Sequence, residues 1–187
     1  MIYLASASPR RRELLRQLGV EFEAMPSNIL EIRQAGEAPA NYVVRVARDK
    51  AQFVAKQVHE RGLPVFPVLG ADTEVVLDGE ILGKPRERDH GMALLRRLAG
   101  RTHEVLSAIC VVDQGREHTA LSTSHVTFGP LTEAEIAQYW KTGEPADKAG
   151  AYAIQGRAAG FIVSLEGSYS GVMGLPLYEL GNILKSL

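Results

Sequence analysis

The chain has 187 residues, of which 45% are hydrophobic and 23% charged, and its formal net charge is −1. These values are ordinary for a soluble globular protein, and we expect a single domain over residues 1–187. The near-neutral charge argues against a nucleic-acid-binding protein, and no stretch is apolar enough to span a membrane. Because the basic residues follow the apolar start instead of preceding it, we expect no signal peptide and a cytoplasmic location.

The chain opens with a short apolar run followed by a basic turn. Residues 2–5 have the length of a buried strand, and Pro9 suits the first turn of a helix with Ser8 as its N-cap. Three arginines crowd that turn, although a helix N-terminus already carries partial positive charge. They form either a solvated basic turn or a site for a multiply charged anion, which the strand–loop–helix context favours. The polar side chains concerned belong to Ser6, Ser8, Arg10, Arg11 and Arg12.

The next segment predicts a weak strand at 20–24, a polar loop at 26–39 that holds Glu31, and a long helix at 40–59. At about 100° per residue, Lys50 lies in the middle of the apolar stripe of that helix, between Val46 and Val54. Such a lysine either extends to nearby solvent or reaches into a cleft and meets an anion there.

Residues 64–85 predict a strand at 65–69, an interruption at 70–73, a resumed strand at 74–77 and a hairpin turn at Asp78-Gly79. Aspartate is a poor strand former, so Asp72 in the interruption is either a solvent-facing residue or a functional one. Its Gly-Ala neighbours, which let other groups approach closely, favour function.

The remainder predicts a helix at 87–99, two antiparallel strands at 103–112 and 118–128, and a helix opened by the capping box of Thr132 and Glu135. A Gly-rich segment at 144–160 shapes a pocket or forms a structural loop. Strands at 161–165 and 168–172 and a final helix from residue 174 complete the expected order. The sequence contains none of the common phosphate-loop, dinucleotide, nucleophile-elbow or zinc-protease motifs.

Basic and acidic candidates together indicate phosphoryl chemistry. Glu31 and Asp72 could hold a hard cation such as Mg²⁺ or Mn²⁺ whose shell is completed by phosphate oxygens. The basic side chains that suit an anion are those of Arg10, Arg11, Arg12, Lys50 and Lys84. Cationic clamps and a carboxylate-held metal are the usual requirements of phosphoryl transfer.

Four segments in order, ASASPRRRELL, VVRVARDKA, GADTEVVLDGEILGKP and DKAGAYAIQG, closely resemble the Maf family of nucleoside triphosphate pyrophosphatases. The resemblance runs from Ile2 to about Leu177. It implies an α/β fold like that of inosine triphosphate pyrophosphatase: a mixed twisted sheet with flanking helices, in two lobes around a deep cleft. It also implies a homodimer and metal-dependent cleavage of a nucleotide between its α- and β-phosphates.

The resemblance also assigns roles to residues. Asp72 matches the proton acceptor of the family, and Arg10, Thr73 and Gln155 match positions linked to substrate choice. Glu31, Lys50 and Lys84 match polar cleft positions. The last segment is similar to the branch that acts on dTTP and UTP, and one amide at Gln155 suits the imide edge of uracil or thymine. Many relatives carry a second acidic residue just before Glu31, where this chain has Leu30. The metal site that the resemblance implies around Glu31 therefore departs from the pattern of the family.

The candidate residues together suggest a mechanism. Asp72, with a divalent cation also held by Glu31, would activate a water, while Arg10, Arg11, Lys50 and Lys84 would hold the phosphates. The alternative is a non-catalytic nucleotide-binding regulator of cell division that uses the same cleft. A nucleic-acid binder is disfavoured by the net charge, so the expected partners are a nucleoside triphosphate and a second copy of the chain, without nucleic acid or membrane.

Overall fold

The computed structural model describes all residues from 1 to 187 and contains one mixed, seven-stranded sheet. Its strands are β1 (Ile2–Leu4), β2 (Phe22–Ala24), β3 (Val68–Leu77), β4 (Glu80–Leu82), β5 (Thr102–Asp113), β6 (Arg116–Phe128) and β7 (Ile162–Glu166). The strand order is β2-β1-β3-β5-β6-β7, with β4 beside β3. Strand β1 is parallel to both β2 and β3, and all other pairs are antiparallel. The predicted α/β class with a mixed sheet is therefore confirmed.

Helices cover both faces of this sheet. They are α1 (Pro9–Gln17), α2 (Pro39–Glu60), α3 (Arg88–Leu98), α4 (Glu133–Trp140), α5 (Tyr169–Met173) and α6 (Leu177–Ser186). Three short 3₁₀ turns lie at Glu144–Asp147, Ala149–Ala151 and Arg157–Phe161. No helix combines the length and the apolar character that a membrane crossing would need.

Because successive side chains of a strand point to opposite faces of the sheet, the central strands contribute to two different cores at one end of the molecule. One core packs α2 against β3 and β5 through residues such as Val54, Val68 and Cys110. The other packs α1 and α6 on the opposite face through residues such as Leu14 and Leu69. A third core joins α3 and α4 to the far ends of the same strands. The long strands thus run through two lobes, and the predicted cleft lies where the lobes meet.

The interruption predicted at 70–73 is wrong, because β3 continues without a break from Val68 to Leu77. The strand also begins later than predicted, and Val65 is 77% exposed. Gly70 marks a close helix–strand contact instead of a break: a Cβ there would lie 2.1 Å from the carbonyl oxygen of Ala47 in α2. Glycine in a strand interior often marks such a close approach of another backbone.

One edge of β3 is left open in its middle. Strand β1 pairs with Val68 and Leu69. Strand β4 pairs with residues 75–77 on the same edge, because β5 pairs with residues 68–76 along the other edge. Residues 70–74 therefore have no strand partner on this side. We call this stretch the open edge of β3.

A second prediction also fails, at the segment 168–172. This segment forms the short helix α5 instead of a strand, because the Ser168 hydroxyl accepts a hydrogen bond from the Gly171 N–H at 3.0 Å and caps the turn. The predicted helix at 40–59 is confirmed as α2, and the predicted capping box is confirmed at the start of α4.

Candidate active site

A cleft of about 640 Å³ opens along the open edge of β3. Its walls come from the start of α1, the loop after β2, the middle of α2, the turn after β4 and the segment 147–155. Of the residues predicted for the site, all except Arg12 line this one cleft: Ser6, Ser8, Arg10, Arg11, Glu31, Lys50, Asp72, Thr73, Lys84 and Gln155. The fold thus brings together side chains that are far apart in the sequence.

Asp72 and Lys50 form the buried centre of the cleft. Lys50 reaches across from α2 and places its Nζ 2.8 Å from Asp72 Oδ1 and 3.0 Å from Glu31 Oε1. The side chains of Lys50 and Asp72 are only 8% and 6% exposed. Of the two possibilities for Lys50, it therefore reaches into the cleft, where the anions it meets are carboxylates of the protein. Asp72 Oδ2 is buried and has no hydrogen-bond partner.

Glu74 also lines this cleft, although no motif in the sequence singles it out. Because β3 is continuous, Glu74 lies two residues beyond Asp72 on the same face of the strand. Burial, together with the carboxylates of Asp72 and Glu31, raises the pKa of Glu74 to about 8 against the opposing effects of Lys50 and Lys84. Its Oε2 atom has no hydrogen-bond partner. The period of two along a strand is the signal that would have identified it.

Arg11 joins three walls of the cleft. Its Nε donates to the carbonyl of Gly174 at 2.8 Å, and its terminal nitrogens donate to the hydroxyls of Ser6 at 3.2 Å and Thr73 at 3.3 Å. The Thr73 hydroxyl also lies 2.7 Å from that of Ser107 on β5. All the nitrogen atoms of this guanidinium group are therefore bonded to the protein, and it holds the Thr73 side of the open edge in place.

Cations line the outer part of the cleft. Arg10 lies near Asp147, with 3.9 Å between Nη1 of the arginine and Oδ2 of the aspartate, and Lys84 is exposed. Lys148 also lines the cleft, forms an ion pair with Asp147 and was not predicted. Arg12, the third residue of the basic turn, does not line the cleft. The Ser8 side chain caps α1 by accepting from the Arg11 N–H, as predicted.

Gln155 follows a stretch of buried residues that anchors it to the protein interior. It is exposed and lines the cleft, while the preceding residues, Ala151 to Ile154, are buried. Tyr152, in this buried stretch, places its hydroxyl 2.8 Å from His103 Nε2 on β5. Burial lowers the pKa of His103 to about 4, so this imidazole is neutral near pH 7.

The carboxylates of the cleft fit a divalent cation that arrives with a phosphorylated substrate. No three His, Cys, Asp or Glu side chains converge as a metal-binding group anywhere in the chain. Asp72 and Glu31 nevertheless share one cation, the Lys50 ammonium, and Asp72 Oδ2 has no partner. Mg²⁺ is commonly held by one or two carboxylates together with substrate phosphate oxygens, and this pair meets that requirement.

An α/β fold with a cleft that combines basic side chains and buried carboxylates is typical of proteins that act on phosphorylated substrates. The family description "Maf-like protein" matches the whole chain, residues 1–187, so the chain belongs to the Maf family. A dTTP/UTP pyrophosphatase of Alkalilimnicola ehrlichii is 55% identical over 184 residues, which cover 98% of this chain and 91% of the relative. Relatives of the same name from Burkholderia pseudomallei and Dechloromonas aromatica are 52% and 50% identical, covering 99% and 100% of this chain and 92% and 96% of theirs.

Proposed function

We propose that this protein hydrolyses dTTP and UTP to the monophosphate and diphosphate. The observation that carries the proposal is the environment of Asp72. One oxygen of its carboxylate is fixed by Lys50 at 2.8 Å, while the other is buried without a partner in a cleft lined by cations. The names of relatives that match nearly the full chain support the same substrates.

In the proposed reaction, a water oxygen attacks the α-phosphorus of the nucleotide. The bond from this phosphorus to the oxygen that bridges the α- and β-phosphates breaks, and diphosphate leaves. Asp72 Oδ2 accepts the proton of the attacking water, since it is the oxygen that no protein donor occupies. Lys50 keeps the carboxylate oriented and compensates its charge before the proton arrives.

The phosphates would be held by Arg10, Lys84 and Lys148, which line the cleft. These cations would also stabilise the charge that develops on the leaving diphosphate. Arg11 is predicted as a phosphate ligand, and three of its five N–H groups donate within the protein, which leaves two for a phosphate. We propose that it also orders the cleft wall and the Thr73 side chain.

Glu31 and Asp72 are the residues that would hold a divalent cation. When bound, such a cation polarises the phosphate oxygens and draws negative charge away from the phosphorus. Because Lys50 already joins both carboxylates, it fixes their separation before any cation binds.

The base would be read by Gln155, whose exposed amide lies in the cleft. An amide offers an NH₂ group as donor and a carbonyl oxygen as acceptor, and the imide edge of uracil or thymine offers an N–H beside a carbonyl. We further propose that the protein acts as a homodimer, which sedimentation of the purified chain would test.

The deciding experiment is diphosphate release by the purified protein with Mg²⁺ and dTTP, UTP, dATP or dGTP, in water enriched in ¹⁸O. We expect turnover of the pyrimidine nucleotides, with the label in the monophosphate because water attacks the α-phosphorus. Label in the diphosphate would refute attack at that atom. Binding of dTTP without release would favour the alternative, a non-catalytic nucleotide-binding regulator.

A further inference from the structure

The segment that carries Gln155 is held by two side chains outside the cleft lining, Tyr139 at the end of α4 and Glu144 just after it. The Tyr139 hydroxyl accepts a hydrogen bond from the Ala153 N–H at 3.2 Å and donates one to Glu144 Oε1 at 2.6 Å. Two residues before Gln155, the backbone is therefore tied to α4.

Glu144 holds the other side of the same segment. Its Oε2 accepts from the Arg157 N–H at 3.0 Å, and its Oε1 lies 3.5 Å from the Ala158 N–H. A Cβ at Gly156 would lie 2.3 Å from Oε2, so the carboxylate lies directly against the backbone between Gln155 and Arg157. Only glycine permits this approach.

The two side chains are themselves fixed. Tyr139 is buried, and its ring packs edge-on against Phe161 with 5.2 Å between centroids. Burial and the neighbouring Glu144 carboxylate raise the pKa of Tyr139 well above its usual value, so the hydroxyl remains a donor. Glu144 is linked back to α4, since its N–H donates to the Thr142 hydroxyl, which in turn donates to the Tyr139 carbonyl.

We propose that Tyr139 and Glu144 are positioning residues that set base discrimination by fixing the backbone on both sides of Gln155. This inference rests on the proposed function, because it takes Gln155 to be the residue that reads the base. The chemistry at Asp72 does not depend on these contacts. Their loss therefore changes which nucleotide is bound more than how fast a bound nucleotide is cleaved.

The test compares Tyr139→Phe, which keeps the ring packing, and Glu144→Gln, which keeps the shape but removes one acceptor. Tyr139→Phe leaves the Ala153 N–H without its acceptor and Glu144 Oε1 without its donor. Glu144→Gln replaces one of the two oxygens that accept from Tyr139 and from the Arg157 N–H. In each variant we expect the preference for dTTP over dATP to fall about 10-fold. The KM for dTTP should rise while kcat changes little. Wild-type preference in both variants would overturn the proposal.

Two control variants separate positioning from general stability. Thr132→Ala removes the N-cap of α4 and should lower the melting temperature without changing base preference. Glu133→Gln removes a charge from the same helix, where it pairs with Arg96, and should change neither. If Thr132→Ala alters base preference as much as Tyr139→Phe does, a merely structural effect explains the result and the proposal fails.

A double variant and a binding assay complete the test. In a Gln155→Ala background, Tyr139→Phe should cause no further loss of base preference, and an additional 10-fold loss would contradict action through Gln155. Binding is measured by calorimetry with the α,β-imido analogues of dTTP and dATP, which cannot be cleaved. If the wild type proves unable to hydrolyse dTTP, the proposed function fails. In that case the ratio of the dissociation constants of the two analogues, compared between the wild type and the variants, still tests whether Tyr139 and Glu144 set base discrimination.

Discussion

Replacing Lys50 with methionine should destabilise the protein strongly, although lysine in an apolar stripe is usually dispensable. Methionine keeps the stem that packs in α2 but removes the ammonium group that joins Asp72 and Glu31. The Glu31 side chain is 43% exposed and can be solvated once the lysine is gone, so the carboxylate of buried Asp72 determines the cost.

The magnitude follows from the burial of this pair. Removing one partner of a buried ion pair costs about 3–5 kcal/mol, because the remaining charge is uncompensated. We take the lower end, about 3 kcal/mol, because Asp72 lines a cleft that water can enter. For a chain of 187 residues, a change of about 1 kcal/mol shifts the melting temperature by about 2–4 °C, so we expect a fall of about 6–12 °C.

The assay is thermal unfolding at pH 8 in the presence of a chelator, followed by circular dichroism. Lys56→Met is the matched control, because Lys56 lies on the same helix, is 75% exposed and pairs only with Glu60 at 3.7 Å. Its loss should cost less than about 0.5 kcal/mol. Lys50→Met combined with Asp72→Asn should recover most of the lost stability. Equal melting temperatures for Lys50→Met and Lys56→Met, or no recovery in the double variant, would refute the reasoning.

Three other variants test separate parts of the molecule. Asp72→Asn should lower turnover of dTTP about 100-fold or more while the protein stays folded, and near wild-type diphosphate release would remove Asp72 from the mechanism. Gln155→Ala should lower kcat/KM for dTTP and UTP about 10- to 100-fold but much less for purine nucleotides, and an equal fall for both would mean that Gln155 only supports its loop. His103 has a pKa of about 4 in the folded protein, against 6.5 for an ordinary imidazole. Between these two pH values the unfolded chain binds more protons than the folded protein, so the stability of the fold falls as the pH drops from 6.5 to 4. His103→Gln should remove about 3 kcal/mol of that acid-dependent loss, measured by urea unfolding at both pH values, and an unchanged pH dependence would contradict a buried neutral imidazole.

Much of the site could be predicted from the sequence because charged residues stood where local rules disfavour them. Lys50 in an apolar stripe and arginines at a helix start both violate simple electrostatic preferences, and for Lys50 and Arg11 a contact within the cleft explains the violation. Sequence alone could not distinguish the partners. Lys50 meets protein carboxylates before any phosphate, and Arg11 is bonded within the protein, because these contacts depend on how distant segments pack.

The misjudged strand shows where local reasoning stops. Gly70 was interpreted as part of a break, whereas its missing side chain makes room for the α2 backbone at Ala47. A tertiary contact of this kind leaves no periodic signal. The error also concealed Glu74, because an interrupted strand does not fix the face on which the next side chain lies. Tyr139 and Glu144 were missed for a similar reason, since they act on backbone groups and not through a motif.

The open edge of β3 has a consequence for mutagenesis of this cleft. The Ala5 N–H donates to the carbonyl of Leu69, so the backbone groups of Leu69 point to this edge. Those of Ala71 and Thr73 point the same way, since backbone direction alternates along a strand. Their N–H groups thus point towards the open edge of β3, along which the cleft runs, and no side-chain substitution removes them. An alanine scan would leave this part of the site intact, and replacing the peptide bond before Thr73 with an ester is the change that reaches it.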